Sequence, residues 1–305
     1  MKKKQKEFRC IWVCVLGRPN VGKSTLINRL VGQKVSIVSP KPQTTRQRIL
    51  AVRNAPDYQM VFVDTPGYTH PKDDLENYLV KTAKEEAKTA ELILFMVDAK
   101  APRKADDDRV MEYIKSFASV TKVPVFLLIN KIDLVAEKVR LFPVIAEYAK
   151  EFDFAAVLPV SAYKGDNLEE LEKEILKYAP VHPAYFPPEM VSDQDEMMTA
   201  GEVVREKAFM LLQQELPYGV AVKVEEYREG KTPGSTYISA VIYVEREAHK
   251  KMVIGKDGSM LKKIGQSARL DLERKFGRKV FLDLWVKIKE DWRDRKDFLK
   301  TLGYW

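Results

Sequence analysis

The sequence predicts two domains, a doubly wound α/β sheet followed by a smaller α+β domain. Three observations support this. Apolar runs alternate with helix-period patterns as far as residue 178, a proline-containing stretch then interrupts them, and a different element order follows. Runs such as 92–97 are uniformly apolar, which is typical of strands buried on both faces of a sheet. We assign residues 1–179 to the first domain, 180–199 to a linker and 200–305 to the second domain.

Six strands and five helices are predicted in the first domain. The strands are Cys10–Leu16, Arg48–Arg53, Gln59–Asp64, Leu92–Asp98, Val125–Asn130 and Val157–Val160. The helices are Lys23–Val31, Leu75–Lys88, Ala105–Phe117, Ala136–Glu151 and Leu168–Tyr178. Because open sheets of this kind bind ligands at the carboxyl ends of their strands, the residues that follow each strand are the candidates for a site.

The second domain is predicted to have the order α-β-β-α-α-β, with one further helix at its end. Its helices are Gly201–Glu215, Ala248–Val253, Met260–Phe276 and Asp291–Leu302. Its strands are Ala221–Arg228, Thr236–Glu245 and Lys279–Lys289. The linker before it contains four prolines and an acidic patch, a composition that favours a segment without regular structure.

Composition excludes several classes of protein. The chain has 305 residues, 45% of them hydrophobic and 31% charged, which is typical of a globular protein long enough for two domains. Its two cysteines, Cys10 and Cys14, lie four apart in one predicted strand, so we expect reduced thiols and a cytoplasmic location rather than a disulfide scaffold. No stretch is long enough to span a membrane, and the apolar run 11–16 is too short for a signal peptide.

A phosphate-binding motif follows the first predicted strand. Residues 17–24 read Gly-Arg-Pro-Asn-Val-Gly-Lys-Ser, the pattern G-x-x-x-x-G-K-[ST] between a strand and a helix. Its glycines let backbone N–H groups approach phosphate oxygens, and the following helix directs its positive end at the same anion. Lys23 can reach the β- and γ-phosphates, and the Ser24 hydroxyl can ligate Mg²⁺; the alternative is a glycine-rich turn that binds nothing. The predicted contacts are Gly17, Arg18, Pro19, Asn20, Val21, Gly22, Lys23, Ser24 and Thr25.

A second motif follows another apolar strand, where residues 64–67 read Asp-Thr-Pro-Gly. Asp64 can hold Mg²⁺ directly or through a water, and the Gly67 N–H can meet a γ-phosphate. We therefore add Asp64, Thr65, Pro66 and Gly67 to the predicted site, although this pattern is also a common turn.

The third and fourth motifs indicate which base is bound. Residues 130–133 read Asn-Lys-Ile-Asp at a strand end, and Asp133 can accept two hydrogen bonds from guanine, whereas adenine has no such pair of donors. Asn130 can steady the base edge and the phosphate loop, and the Lys131 stem can cover the ring. The alternative is a helix cap, a role that Asp and Asn also favour. Ser161 and Ala162 follow the next strand, where a backbone N–H can meet the guanine carbonyl.

Four motifs in this order, each at the carboxyl end of a strand, form the motif set of GTP-binding proteins, and the first domain resembles the translation-factor-related GTPases. The resemblance makes 36–48 the first switch segment, whose threonine ligates Mg²⁺ when GTP is bound. Thr44 and Thr45 precede an arginine, and we favour Thr45, with Thr44 still open. The predicted cofactors are GTP, GDP and Mg²⁺, with Ser24, Thr45 and Asp64 as metal ligands.

The chain departs from many signalling GTPases at residue 68, where Tyr replaces the glutamine that orients the attacking water. We therefore expect slow intrinsic hydrolysis or another catalytic device. Relatives with Pro-Asn in the phosphate loop use the asparagine to bind K⁺, so the resemblance gives Asn20 this role; the alternative is a turn residue. Lys23, Thr45, Gly67 and Asn20 are the predicted catalytic residues.

The second domain carries a nucleic-acid motif. Residues 253–258 read Val-Ile-Gly-Lys-Asp-Gly, which resembles the loop with which KH domains clamp about four nucleotides. The element order matches the type II variant. Residues 251–305 carry fifteen Lys and Arg against eight Asp and Glu, so almost all of the net charge of +8 lies here, which favours an RNA partner over a merely solvated face. The predicted RNA contacts are Ile254, Gly255, Lys256, Asp257, Gly258, Lys262, Lys263 and Arg269.

A GTPase domain followed by a type II KH domain resembles the Era GTPases of bacteria over nearly the whole chain. The resemblance rests on residues 17–25, 44–46, 64–67, 130–133 and 254–269. It implies a GTPase that assembles the small ribosomal subunit, binds near the 3′ end of its RNA, acts as a monomer and associates peripherally with the inner face of the cell membrane. The alternative is an RNA chaperone in which guanine nucleotide is a slow structural ligand.

Overall fold

The computed structural model describes residues 7–39, 41, 43–101, 103–213 and 216–304. The chain divides into two compact units. The first contains the residues up to Ser36, together with Thr45–Lys72 and Leu79–Asp193. The second contains Ile37–Thr44, Asp73–Tyr78 and the residues from Gln194 onward.

A six-stranded sheet forms the centre of the first unit, in the order β2-β3-β1-β4-β5-β6. Its strands are β1 Arg9–Leu16, β2 Ile49–Asn54, β3 Tyr58–Asp64, β4 Leu92–Asp98, β5 Val125–Asn130 and β6 Ala156–Pro159. The helices are α1 Lys23–Val31, α2 Asp74–Lys88, α3 Ala105–Thr121, α4 Leu141–Ala149 and α5 Leu168–Tyr178. The first residues of α2, as far as Tyr78, are counted with the second unit. β2 runs antiparallel to β3 and the other pairs are parallel, so the predicted doubly wound sheet is confirmed.

The two faces of this sheet bury separate hydrophobic cores, because successive side chains of a strand point to opposite faces. Val13 and Phe62 pack in the core that includes residues of α1 and α5. Cys14 and Phe95 pack in the other core, with residues of α2, α3 and α4. Both cysteines are buried free thiols, as the sequence predicts.

The fourth helix is shorter than the predicted 136–151. A 3₁₀ turn at Lys138–Arg140 precedes it, and regular α-helix begins at Leu141. This start places Pro143 in the first turn, where a missing N–H costs nothing. A helix from residue 136 would place that proline in its interior and lose a backbone hydrogen bond.

The segment after α5 is bonded to the sheet rather than extended away from it. The Cys10 N–H donates to the Pro180 carbonyl at 3.1 Å, and the Val52 N–H donates to the Val191 carbonyl at 2.9 Å. The Gln59 side-chain oxygen accepts two further N–H groups, those of Tyr185 and Phe186. The proline-rich stretch as far as Asp193 therefore belongs to the first compact unit.

The second unit contains a three-stranded sheet with β8 at its centre. Its elements are α6 Glu196–Leu211, β7 Ala221–Glu229, β8 Thr236–Val244, α7 Glu247–Ile254, α8 Ser259–Phe276, β9 Val280–Ile288 and α9 Lys296–Thr301. β7 is antiparallel to β8, and β9 is parallel to it. Residues of α6 and α8 form one core with the sheet. The order α-β-β-α-α-β confirms the predicted type II KH fold.

Two helices of this unit differ from prediction. α6 begins five residues earlier than predicted because the Asp195 carboxylate accepts the Met198 N–H at 2.6 Å and caps it. Its predicted end at Glu215 lies outside the described residues. The predicted helix 291–302 divides into a 3₁₀ turn, Trp292–Asp294, and α9, because Arg295 between them has an extended backbone.

None of the helices in the described part of the chain is both long and apolar enough to cross a membrane.

Candidate functional site

The loop between β1 and α1 is built for close backbone approach. Gly22 has φ 108°, and a Cβ there would lie 2.3 Å from the side-chain nitrogen of Asn130, so no other residue fits. The Lys23 ammonium donates to the carbonyls of Gly17 and Arg18, at 3.0 and 3.1 Å. The loop therefore surrounds the ammonium group of Lys23.

The electrostatics of this loop favour an anion. Gly22 provides no side chain to cap α1, and the first turn of this helix carries no acidic residue. The first N–H groups of α1 therefore keep the partial positive charge of a helix N-terminus. Lys23 is 6% exposed. Burial lowers the pKa of Lys23 to about 8, and the nearby Asp64 carboxylate opposes that shift. A bound phosphate would supply the counter-charge that the buried ammonium needs.

Asp64, at the end of β3, has the properties of a metal ligand. It is fully buried, and neither carboxylate oxygen accepts a hydrogen bond of ordinary geometry from the described residues. Burial raises its pKa, although the nearby hydroxyls of Ser24 and Thr45 act to lower it. Those two hydroxyl oxygens lie 2.9 Å apart. A carboxylate and two hydroxyls form a hard oxygen set that fits Mg²⁺.

The two candidate threonines have different environments. Thr45 faces Ser24, whereas the Thr44 hydroxyl donates to the Lys41 carbonyl at 2.7 Å. The structure therefore brings Thr45 together with the other predicted metal ligands and directs Thr44 to its own loop.

The loop after β3 packs tightly against the phosphate loop. A Cβ on Gly67 would lie within 2.7–2.8 Å of three Pro19 atoms, so this position also requires glycine. The Thr65 hydroxyl donates to the Val15 carbonyl at 2.6 Å, and the Tyr68 N–H donates to the Gly17 carbonyl at 3.1 Å. These bonds join the first two motifs into one surface.

The Tyr68 side chain belongs to the hydrophobic core. It is 6% exposed and stacks on Tyr113, with ring centroids 6.0 Å apart. The Lys84 ammonium lies 5.7 Å from its ring. A side chain held in this way cannot orient a water as glutamine does. Asn20, in contrast, is exposed at the tip of the phosphate loop with φ 63°.

Asn130 joins the third motif to the first and the fourth. Its side-chain N–H donates to the Val21 carbonyl at 2.7 Å, and its side-chain oxygen accepts the Ala162 N–H at 2.9 Å. Asp133 accepts a hydrogen bond from the Ser161 hydroxyl at 2.6 Å. Because the Asn130 side chain bonds two loops, the alternative of a simple helix cap does not describe it.

Two acidic residues that were not predicted from the sequence pair with basic side chains of this site. The Arg18 guanidinium donates to Asp107 at 3.0 Å, and the Lys131 ammonium donates to Asp98 at 2.6 Å. Asp98 ends a buried strand, as Asp64 does, and that position was the signal that could have revealed it. Asp107 lies in the first turn of α3 and carries no comparable signal.

In the second unit, the predicted G-x-x-G loop joins α7 to α8. Gly255 and Gly258 both have φ 75°, and Asp257 between them has φ 51°. A Cβ on Gly255 would lie 2.7 Å from the Met260 Cβ, whereas a Cβ on Gly258 would meet nothing within 4 Å. Gly255 is therefore required by packing, and Gly258 leaves open space beside the loop.

A cleft of about 400 Å³ opens next to this loop. It is lined by Gly258, Leu261, Lys262, Gly265, Gln266, Arg269, Leu282 and Leu284. Three predicted RNA contacts, Gly258, Lys262 and Arg269, therefore share one cleft. Ile254, Gly255, Lys256, Asp257 and Lys263 do not line it. The three leucines were not predicted from the sequence, because their period fits an ordinary core. Apolar walls with cations at the rim suit bases and phosphates respectively.

Comparison with protein families agrees with the two predicted domains. The family model described as 50S ribosome-binding GTPase matches residues 12–131, and the KH domain model matches residues 215–293. The chain is 45% identical over 297 residues to GTPase Era of Ruminiclostridium cellulolyticum, covering 97% of this chain and 98% of the relative. It is 44% identical over 300 residues to GTPase Era of Halothermothrix orenii, covering 97% and 99%.

Two solved structures resemble the whole chain. One is Era in complex with MgGDPNP and nucleotides 1506–1542 of 16S ribosomal RNA, with TM-score 0.93 and 43% identity. The other is an Aquifex aeolicus Era variant bound to GDP and AlF₄⁻, with TM-score 0.93 and 42% identity. Each comparison covers 97% of this chain and 99% of the other.

Proposed function

Because this chain belongs to the Era family of GTPases, we propose that it links GTP hydrolysis to binding of small-subunit ribosomal RNA near its 3′ end, during assembly of the small subunit. It is a GTPase that binds GTP and GDP together with Mg²⁺. One observation carries the assignment of the site. The Asn130 side chain bonds both the Val21 carbonyl and the Ala162 N–H, which supports one nucleotide site formed by the phosphate loop and the two base-binding motifs.

The roles of the phosphate-side residues follow from their chemistry. Lys23, held by two loop carbonyls, would exchange those bonds for β- and γ-phosphate oxygens. Ser24, Thr45 and Asp64 would hold Mg²⁺, which neutralises phosphate charge when bound. The Gly67 N–H would meet the γ-phosphate, because close packing on Pro19 holds it beside the phosphate loop.

The base would be read by Asp133. Its carboxylate accepts one hydrogen bond from Ser161 and keeps further lone pairs for the guanine ring N–H and exocyclic amine. The Ala162 region would place a backbone N–H near the guanine carbonyl, and the Lys131 stem would cover the ring face.

Hydrolysis would not use the side chain after Gly67, because the Tyr68 ring is buried in the core. We propose instead that K⁺ bound at Asn20, which is exposed on the phosphate loop, supplies positive charge beside the phosphates. This ion would act where other GTPases place an arginine finger.

RNA would bind at the cleft beside Gly258. The leucines would contact unstacked bases, and Lys262 and Arg269 would contact phosphates. The solved relative that carries a 16S RNA fragment supports the choice of RNA. Ile254, Gly255, Lys256, Asp257 and Lys263 would act from the loop and its flanks.

The alternative function is an RNA chaperone whose guanine nucleotide is a slow structural ligand, and the buried Tyr68 favours it. Steady-state phosphate release from GTP, with and without an RNA of the 3′-terminal small-subunit sequence, separates the two. A rate that rises with RNA supports the coupled GTPase. Release that stays negligible in both conditions, despite tight GTP binding, supports the chaperone.

Family likeness also motivates three finer proposals: a monomer, a cytoplasmic location and peripheral contact with the inner face of the cell membrane. Sedimentation velocity of the full chain tests the first. Flotation with phosphatidylcholine vesicles, with and without phosphatidylglycerol, tests the last. Recovery with the anionic vesicles supports membrane contact, and recovery with neither type contradicts it.

A further inference from the structure

An acidic residue outside the four nucleotide motifs lies between two of them. Asp98 is the last residue of β4, and strand register places it directly opposite Asn130, the first residue of the guanine motif. The Ala99 N–H donates to the Asn130 carbonyl at 2.8 Å, so the backbone joins the two strand ends. Asp98 is therefore fixed beside the base-binding loop.

The Asp98 carboxylate is held in one orientation. One oxygen accepts the Lys100 N–H at 2.9 Å. The other accepts the Lys131 ammonium at 2.6 Å and lies 3.9 Å from the Arg18 guanidinium. Burial acts to raise the pKa of Asp98, but Lys131 and the backbone N–H bonds outweigh it, so the pKa is lowered and the group is ionised at neutral pH.

Arg18 is held from a second side. Its guanidinium donates to Asp107 at 3.0 Å, and Asp107 also accepts the Lys104 N–H at 3.0 Å. The side chains of Arg18 and Asp98 are each 9% exposed, and that of Asp107 is 2% exposed. At this depth water screens the charges only weakly, so the stability of each ionised side chain depends on its oppositely charged partners.

We propose that Asp98 is a positioning residue that couples the guanine motif to the phosphate loop by holding Lys131 and facing Arg18 with the same carboxylate oxygen. This rests on the proposed nucleotide site. In the bound state Asp98 fixes the Lys131 ammonium so that its stem stays over the base. Through Arg18 it also stabilises the loop that receives the phosphates.

The test is a double-mutant cycle on the GDP dissociation constant of the full chain. Asp98→Asn keeps the shape and removes the charge, and Lys131→Met keeps a long unbranched stem. We expect each change to weaken GDP binding about tenfold, and the double variant to be no more than about twofold weaker than either single one. Two independent effects would multiply to about a hundredfold. The turnover number at saturating GTP should change less than KM.

Asp108→Asn is the matched control, because Asp108 is next to Asp107 on α3 but pairs with Arg103. It should bind GDP like wild type. If Asp98→Asn fails to fold, the cycle is run with Arg18→Gln and Lys131→Met, where non-additive losses support coupling through Asp98. Wild-type affinity in Asp98→Asn, or a multiplicative loss in either cycle, would overturn the inference. A wild-type chain that does not bind GDP would instead overturn the proposed function.

Discussion

Replacing Asn130 by alanine tests the junction on which the nucleotide site depends. The side chain is buried, and it bonds the Val21 carbonyl at 2.7 Å and the Ala162 N–H at 2.9 Å. Alanine can make neither bond. Both partners belong to buried residues, at 0% and 2% exposure, so water has little access to replace the lost bonds.

The expected cost follows from those two groups. An unpaired buried donor or acceptor costs about 1–3 kcal/mol, so for two such groups we expect Asn130→Ala to lower the unfolding free energy by about 2–6 kcal/mol. For a unit of this size, each kcal/mol shifts the melting temperature by about 2–4 °C, which gives a fall of roughly 4–24 °C. GDP binding should also weaken by at least about tenfold, because the phosphate and base loops lose their link.

Calorimetry with and without GDP measures both effects. Because the chain has two units, the transition that GDP raises identifies the unit that carries the nucleotide site. Glu112→Ala on α3, in the same unit as Asn130, is the control, since its side chain is exposed, and it should change stability by no more than about 0.5 kcal/mol. An Asn130→Ala protein that melts with the wild type and binds GDP equally well would refute the reasoning.

Three further changes test separate parts of the account. Asp133→Asn should weaken GTP binding and favour xanthosine nucleotides, whose carbonyl suits an amide donor; competition titrations that show no change of preference would contradict its role. GTP hydrolysis should be faster in K⁺ than in Na⁺ at equal ionic strength, and Asn20→Ala should abolish that difference; equal wild-type rates would mean that no such ion is used. Gly258→Asp places a negative side chain beside the cleft, so anisotropy should report a large loss of single-stranded RNA affinity with GTP binding unchanged; unchanged RNA affinity in the folded variant would place the RNA site elsewhere.

The fold was predictable because its strongest signals are local. The strand runs ending at Asp64, Asp98 and Asn130 are buried on both faces, and their apolar composition predicts their ends to the residue. Errors arose where one residue decides a boundary. Pro143 delays α4, and Asp195 caps α6 earlier than its apolar pattern suggests.

The nucleotide motifs were also predictable, because each has a fixed spacing that its chemistry requires. What could not be predicted is which side chains from distant parts of the chain hold those motifs. Asp107 reaches Arg18 across 89 positions of sequence, and no local pattern indicates such a pair. The walls of the cleft beside Gly258 could not be predicted for the same reason, since Leu282 and Leu284 come from a strand that follows the loop by more than twenty residues.

The most direct test of the central claim is the relative affinity of the wild-type chain for GDP and ADP, measured by titration in Mg²⁺. Asp133, held by the Ser161 hydroxyl, would accept the two donors that guanine has and adenine lacks. A site that depends on such donors discriminates by up to roughly 10⁴–10⁵. We predict a preference for GDP approaching that range. Equal affinity for the two nucleotides would contradict the account.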